Sequence, residues 1–360
     1  MDLHRFLRPD IDDLPGYSPV QPLHRLAAEI GMPVDQLVKL DANENLYGTL
    51  PAVREAAAKA DLHIYPDPAQ TALREAIADY LNVRPEQVIA GSGADDLIDI
   101  VIRLALPSLA ASATPTFPMY AFLGAIAGVS HIDVPRGRDY ALDLPALRTA
   151  VDQGAGIVFV ASPNNPTGNA AGLEEIEALC ALDALIVVDE AYAEFSGTSA
   201  VPLLASHPNL VILRTFSKWA GLAGLRVGYA VAHAELTERM MAIKQPYNVN
   251  AAGDAAARAA LEHREEIFAT VHALVSERDR LAEAVAALGW LAPHPSDANF
   301  VLFDVQGEGW AATVAKKLRA RGVLVRHYDQ PDLAGKLRIS AGRPQDTDRL
   351  LEALREVGPA

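Results

Sequence analysis

Between residues 51 and 250, short apolar runs alternate with longer segments whose apolar residues recur at helical spacing. The runs at 88–90, 157–160, 185–188 and 210–213 consist largely of Val, Ile and Leu, and continuous apolar runs of this length predict strands covered on both faces. The intervening helical patterns predict the cover, giving a mainly parallel sheet with helices on either side. After about residue 250 the pattern changes. Ala-, Glu- and Arg-rich helical spacing fills 254–288, followed by a strand pattern at 299–303, a helix over 310–321, strands at 323–325 and 337–340, and a last helix. This predicts a smaller α+β domain. The first 50 residues instead hold turn formers, Pro15-Gly16-Tyr17-Ser18-Pro19 and Asp41-Ala42-Asn43-Glu44-Asn45, which suit an arm lying over another surface. The expected division is an arm contributing to the small domain (1–50), a large ligand-binding domain (51–249) and a small C-terminal domain (250–360).

Composition narrows this mostly by exclusion. At roughly 150 residues per domain, 360 residues make about two domains, and with half of them hydrophobic a large core can be buried. The 31 basic residues against 46 acidic ones leave a net charge of −15, which repels nucleic acid and anionic membranes. The single cysteine, Cys180, can form neither an internal disulfide nor a thiolate metal cluster, so no metal site is expected. The first residues lack the apolar core of a signal peptide, and no stretch reaches the roughly 20 uninterrupted apolar residues of a membrane span. The expectation is a soluble, cytoplasmic protein.

In an open parallel sheet, ligands bind at the carboxyl ends of the strands, and four such ends carry unusual residues. The turn Gly91-Ser92-Gly93-Ala94-Asp95-Asp96 opens a helix, where free N–H groups and the helix dipole favour a phosphate. A tight strand-to-helix turn with acidic first-turn residues is its plainer reading. Ser162-Pro163-Asn164-Asn165-Pro166-Thr167-Gly168 holds the Asn165 amide at a strand end between two prolines; an ordinary β-turn is the alternative. Asp189 ends the run 185–188, and a carboxylate there needs a cation or strong donor, unless it merely caps a helix. Among the seven lysines, Lys218 is the one that closes an apolar strand, beside two hydroxyls in Thr215-Phe216-Ser217-Lys218 and eight residues before Arg226. Desolvation there would lower its pKa and favour Schiff-base chemistry; a snorkelling surface lysine is the alternative. Together the four ends call for a ligand with a phosphate, a ring nitrogen that gains from a carboxylate, a ring hydroxyl and an aldehyde. Pyridoxal 5′-phosphate has all four.

In this order, Ser-Pro-Asn-Asn-Pro-Thr-Gly (162–168), Val-Asp-Glu-Ala-Tyr (188–192), Thr-Phe-Ser-Lys (215–218) and Ala-Gly-Leu-Arg-Val-Gly-Tyr (223–229) resemble the motifs of fold-type I aminotransferases. Asn165 precedes Asp189 by 24 residues, and Asp189 precedes Lys218 by 29, both ordinary in that group. Within it, the chain is similar to the histidinol-phosphate aminotransferase family along almost its whole length, through segments 40–45, 65–68, 244–250 and 323–342. The resemblance implies a homodimer that converts L-histidinol phosphate and 2-oxoglutarate into imidazole-acetol phosphate and glutamate, a step of histidine biosynthesis. Aromatic-amino-acid aminotransferases and threonine-phosphate decarboxylases share most of these motifs and remain alternatives.

The resemblance also implies residue roles. Lys218 would carry the cofactor and move the substrate proton, Asp189 would pair with the pyridinium nitrogen, and Asn165 and Tyr192 would bond the ring hydroxyl. The backbone amides of Ala94 and Asp95, with Thr215, Ser217 and Arg226, would bind the cofactor phosphate. Tyr120 would stack on the ring, and Tyr65 would reach the phosphate in the neighbouring subunit. Arg338 would take the substrate anion, with Arg326, Asn165 and Tyr17 bordering it.

Overall fold

The computed structural model describes residues 3–14 and 21–359. Among these residues, twelve strands form two sheets. In chain order they are β1 (Val38–Leu40), β2 (Val88–Gly91), β3 (Leu109–Thr114), β4 (Ser130–Pro135), β5 (Ala155–Ala161), β6 (Leu185–Asp189), β7 (Leu210–Thr215), β8 (Gly228–Ala232), β9 (Leu291–Pro293), β10 (Phe300–Val305), β11 (Val323–His327) and β12 (Lys336–Ser340). The larger sheet has the order β2-β8-β7-β6-β5-β3-β4. Only β8 runs antiparallel to its neighbours, so the expected mainly parallel α/β layer is present. Alternate residues of its central strands enter two separate cores. On one face Val188 and Ile212 pack with Leu73, Ile77, Val271 and Leu274. On the other, Val187 and Leu213 pack with Leu97, Val101 and Met240. Covering both faces is what made these strands apolar throughout.

The smaller sheet has the order β1-β11-β12-β10-β9, with its own core of Val301, Phe303, Leu337, Ile339 and Leu350. The helix Arg264–Ala286 joins the two units, because Ile267 and Val271 enter the first core while Leu281 and Val285 enter this one. One difference from the sequence pattern matters for the site. The segment expected as an arm includes β1, which pairs in parallel with β11 and buries Val38 and Leu40. Three residues are too few for a period to show. Likewise β3, Leu-Ala-Ala-Ser-Ala-Thr, is a strand made of small residues whose identity comes from its two parallel neighbours, not from its own hydrophobicity.

Candidate active site

Strand register brings the sequence-distant motifs together. Gly228 pairs with Gly91 on one side and with Thr215 on the other, so the turn after β2 lies beside the end of β7. A Cβ on Gly228 would stand 2.8 Å from the Ala94 amide nitrogen. The absence of a side chain therefore leaves room for the first turn of the helix Ala94–Ala105 to approach the sheet. Gly93 has φ +83°, and a Cβ there would lie 2.5 Å from Nη2 of Arg226. The guanidinium is thus held against a helix N-terminus, where cation and dipole both attract an anion. Arg226 also donates to Asp95 at 3.1 Å. Thr215 and Ser217, both buried, line the same end, with the Thr215 hydroxyl donating to Ser217 Oγ at 2.9 Å and accepting the Ser217 amide at 3.1 Å. Asp96 braces the turn by accepting from the Ser92 amide and the Asn248 side chain, each at 2.8 Å. The predicted phosphate-binding residues therefore surround one cup.

Asp189 ends β6 and is buried. Burial raises its carboxyl to about 6, against the pull of its two donors, with Asp95 and Glu190 adding repulsion. The donors are the Tyr120 hydroxyl at 2.7 Å and the Ala191 amide at 3.1 Å. Here the expectation for Tyr120 is corrected. Its ring is 1% exposed and stacked on Phe159 at 4.8 Å with an interplanar angle of 3°, so it lies within the core beneath Asp189 and offers no face to a ligand. Phe117, half-buried at the same strand end and edge-on to Tyr120 at 5.8 Å, is the more accessible aromatic ring.

Lys218 is half-buried, with Nζ donating to the Ala42 carbonyl at 3.1 Å and lying 5.9 Å from the Tyr192 ring centre. Burial pushes its amine down to about 8, and the nearby cations Arg338, Lys39 and Arg226 act the same way against Glu44. The Tyr192 hydroxyl accepts from Asn43 at 2.9 Å. Asn43 was not predicted as a site residue. It adopts φ +54°, and its backbone N–H donates to Ser340 at 2.9 Å while its own carbonyl accepts from Asn299 at 3.1 Å. The sequence offered only the asparagine in the turn-forming run Asp41-Ala42-Asn43, a residue type that tolerates the left-handed conformation.

The small sheet supplies two cations. Arg338 is buried, donates to Asn165 Oδ1 at 2.5 Å and to the Asp41 carbonyl at 2.6 Å, and among the described residues its buried Nε has no acceptor. Arg326 is its cross-strand partner. Both guanidinium groups face the Tyr328 ring, at 5.6 Å for Arg326 and 6.0 Å for Arg338, and the buried Tyr328 hydroxyl likewise has no partner among the described residues. Tyr328 was missed because its role depends on two arginines from adjacent strands. Tyr65 lies away from this cluster, 78% exposed and stacked on Tyr247 at 4.5 Å. Tyr17 lies outside the described residues.

The residues fit pyridoxal 5′-phosphate: an anion cup cleared by glycines, a buried carboxylate, an amide and a phenol for a ring hydroxyl, and an amine of lowered pKa. The chain belongs to the family Aminotransferase class I and II, whose pattern it matches over residues 35–354. It is 44% identical over 362 residues to histidinol-phosphate aminotransferase of Roseiflexus castenholzii, covering 98% of each chain. It is 40% identical to the chloroplastic histidinol-phosphate aminotransferase 1 of Arabidopsis thaliana, covering 98% of this chain and 85% of that one. The crystal structure of histidinol-phosphate aminotransferase from Sinorhizobium meliloti in complex with pyridoxal-5′-phosphate superposes with a TM-score of 0.89 at 30% identity, covering 98% of this chain and 97% of the other.

Proposed function

We propose that this protein transfers the amino group of L-histidinol phosphate to 2-oxoglutarate, yielding imidazole-acetol phosphate and glutamate, as a cytoplasmic homodimer in histidine biosynthesis. Supporting this most strongly is the pairing of a lysine of lowered pKa with two arginines across one strand register, Arg326 and Arg338, in a chain whose relatives at 44% and 40% identity carry that activity in their names.

Bound at Lys218, pyridoxal 5′-phosphate supplies the carbonyl that takes up the amine and a ring that withdraws electrons from the substrate carbon. The Ala94 and Asp95 amides, Thr215, Ser217 and Arg226 hold the phosphate, and Asp189 keeps the ring nitrogen protonated. Asn165 and Tyr192 orient the ring from its hydroxyl side, with Phe117 covering it in the place expected of Tyr120. Lys218 Nζ, about half in its neutral form at pH 8, would take the proton from the substrate carbon and deliver it to the cofactor's aldehyde carbon, across the shared nitrogen. The substrate phosphate meets Arg326 and Arg338, with Tyr17 beside them. Residues 51–249 act as the cofactor-binding domain, joined by the helix Ala251–Glu262 and the first half of Arg264–Ala286, which pack into its core, and the rest of 250–360 with the first fifty forms the smaller one.

Leu62, Ile64 and Tyr65 are exposed, with Tyr65 stacked on the exposed Tyr247, an apolar surface that suits a second copy of the chain, with Tyr65 reaching its cofactor phosphate. Side-by-side turnover of histidinol phosphate, phenylalanine and threonine phosphate tests the assignment. Histidinol phosphate should give the highest kcat/KM; preference for phenylalanine, or carbon dioxide release from threonine phosphate, would overturn it.

A further inference from the structure

The core beneath the ring-nitrogen carboxylate holds a phenol that the roles above leave unused. Tyr120 is clamped between Phe159, stacked at 4.8 Å, and Phe117, edge-on at 5.8 Å, so its hydroxyl has one fixed direction, toward Asp189 Oδ2 at 2.7 Å. The other carboxylate oxygen takes the Ala191 amide at 3.1 Å. We infer that Tyr120 is a positioning residue that sets the proton balance between Asp189 and the cofactor ring nitrogen, by donating one hydrogen bond to the carboxylate from behind. This rests on the pyridoxal phosphate reading.

The argument is one of competition for a proton. A carboxylate facing a protonated pyridine can either leave the proton on nitrogen, which keeps the ring an electron acceptor, or take it and lose that effect. Burial favours the neutral pair, because charge separation is costly where water is excluded. The phenol opposes this. Its O–H stabilises the ionised carboxylate and cannot donate equally well to a carboxylic acid in the same geometry. The charged or titratable groups around the pair are Asp95 from the helix Ala94–Ala105, Glu190 from the following turn, Tyr192, and Arg136 on the far side of Tyr120. Arg136 is buried and, among the described residues, its hydrogen bonds go to the carbonyls of Ala113, Tyr140 and Ala161. Its positive charge, partly offset by Glu175, acts on the phenol and makes it a better donor to an anionic Asp189.

The test uses Tyr120→Phe, which keeps the ring between its two neighbours and removes only the hydroxyl. In the protein stripped of cofactor, the Asp189 carboxyl, followed by its carbon NMR signal and assigned with Asp189→Asn, should hold its proton about tenfold or more tightly than in the parent. In protein loaded with nitrogen-15 pyridoxal phosphate, the ring nitrogen signal should move from the protonated toward the unprotonated range, and kcat should fall about ten- to a hundredfold with KM little changed. A second variant, with 3-fluorotyrosine at position 120, keeps the bond and makes the donor more acidic, so the carboxyl should move the opposite way. An unshifted carboxyl and ring-nitrogen signal in folded Tyr120→Phe would overturn the inference. If that variant does not fold, an unshifted carboxyl in the fluorotyrosine protein would do the same. Failure to take up the cofactor at all in the parent protein would instead strike the reading beneath it.

Discussion

Replacing Arg326 with glutamine separates substrate recognition from structural support. Among the described residues, Arg326 makes no side-chain hydrogen bond or ion pair, and its one polar-to-ring contact is with Tyr328 at 5.6 Å. Its cross-strand neighbour is another arginine, Arg338, and like charges placed opposite each other on a sheet are destabilising. The fold should therefore hardly notice the change, with stability within about 0.5 kcal/mol of the parent or slightly above it. Substrate binding should notice it strongly. A charge-assisted hydrogen bond is worth roughly 1.5–3 kcal/mol, which at about 1.4 kcal/mol per decade weakens histidinol phosphate by about ten- to more than a hundredfold. Glutamate should lose less, because its α-carboxylate is expected to meet mainly the buried Arg338. Arg338→Gln gives the contrasting result, because its guanidinium is buried and bonds both Asn165 and the Asp41 carbonyl. Each acceptor left unpaired costs about 1–3 kcal/mol, so this variant should lose stability and harm both substrates. The assay is kcat/KM for each substrate together with thermal denaturation of each variant. Equal, small losses on the two substrates in Arg326→Gln would show that Arg326 is only a residue at the end of β11, and the account of the substrate anion would fall.

Three more outcomes are expected. Lys218→Ala should abolish both turnover and the visible absorption of the bound cofactor; in the parent, capture of added pyridoxal phosphate should speed up as pH rises through about 8, where the amine loses its proton, and level off above. A capture rate still climbing steeply toward pH 10 would mean that the amine is not desolvated. Asp189→Asn should fold, since the amide oxygen can still accept from the Ala191 N–H while the amide NH2 donates to the Tyr120 hydroxyl oxygen, yet lose most activity because a neutral side chain cannot stabilise a protonated ring nitrogen; near-normal turnover would reduce Asp189 to a structural group. Mixing Tyr65→Phe subunits with Lys218→Ala subunits should yield one site of parental behaviour per heterodimer, and persistence of the Tyr65→Phe defect there would mean that Tyr65 serves its own chain.

Much of the molecule was legible in one dimension. The apolar runs of β5, β6 and β7 identified themselves because strands covered on both faces must be apolar at every position. Lys218, Asp189 and Asn165 stood out because polar groups ending such strands need a partner or a task. The rest depended on contacts between distant segments. Tyr120 reads in sequence as an aromatic residue near a strand end, and whether it faces a ligand or the core is decided by Phe159, 39 residues away, and by Asp189, 69 residues away. Asn43 and Tyr328 acquire their positions only once β1 and β12 pair with β11. Hydrophobic periodicity encodes which face of an element is buried, and so it survives in the sequence alone. The partner that a buried polar atom meets is set by register and packing between elements, and no local pattern carries that information.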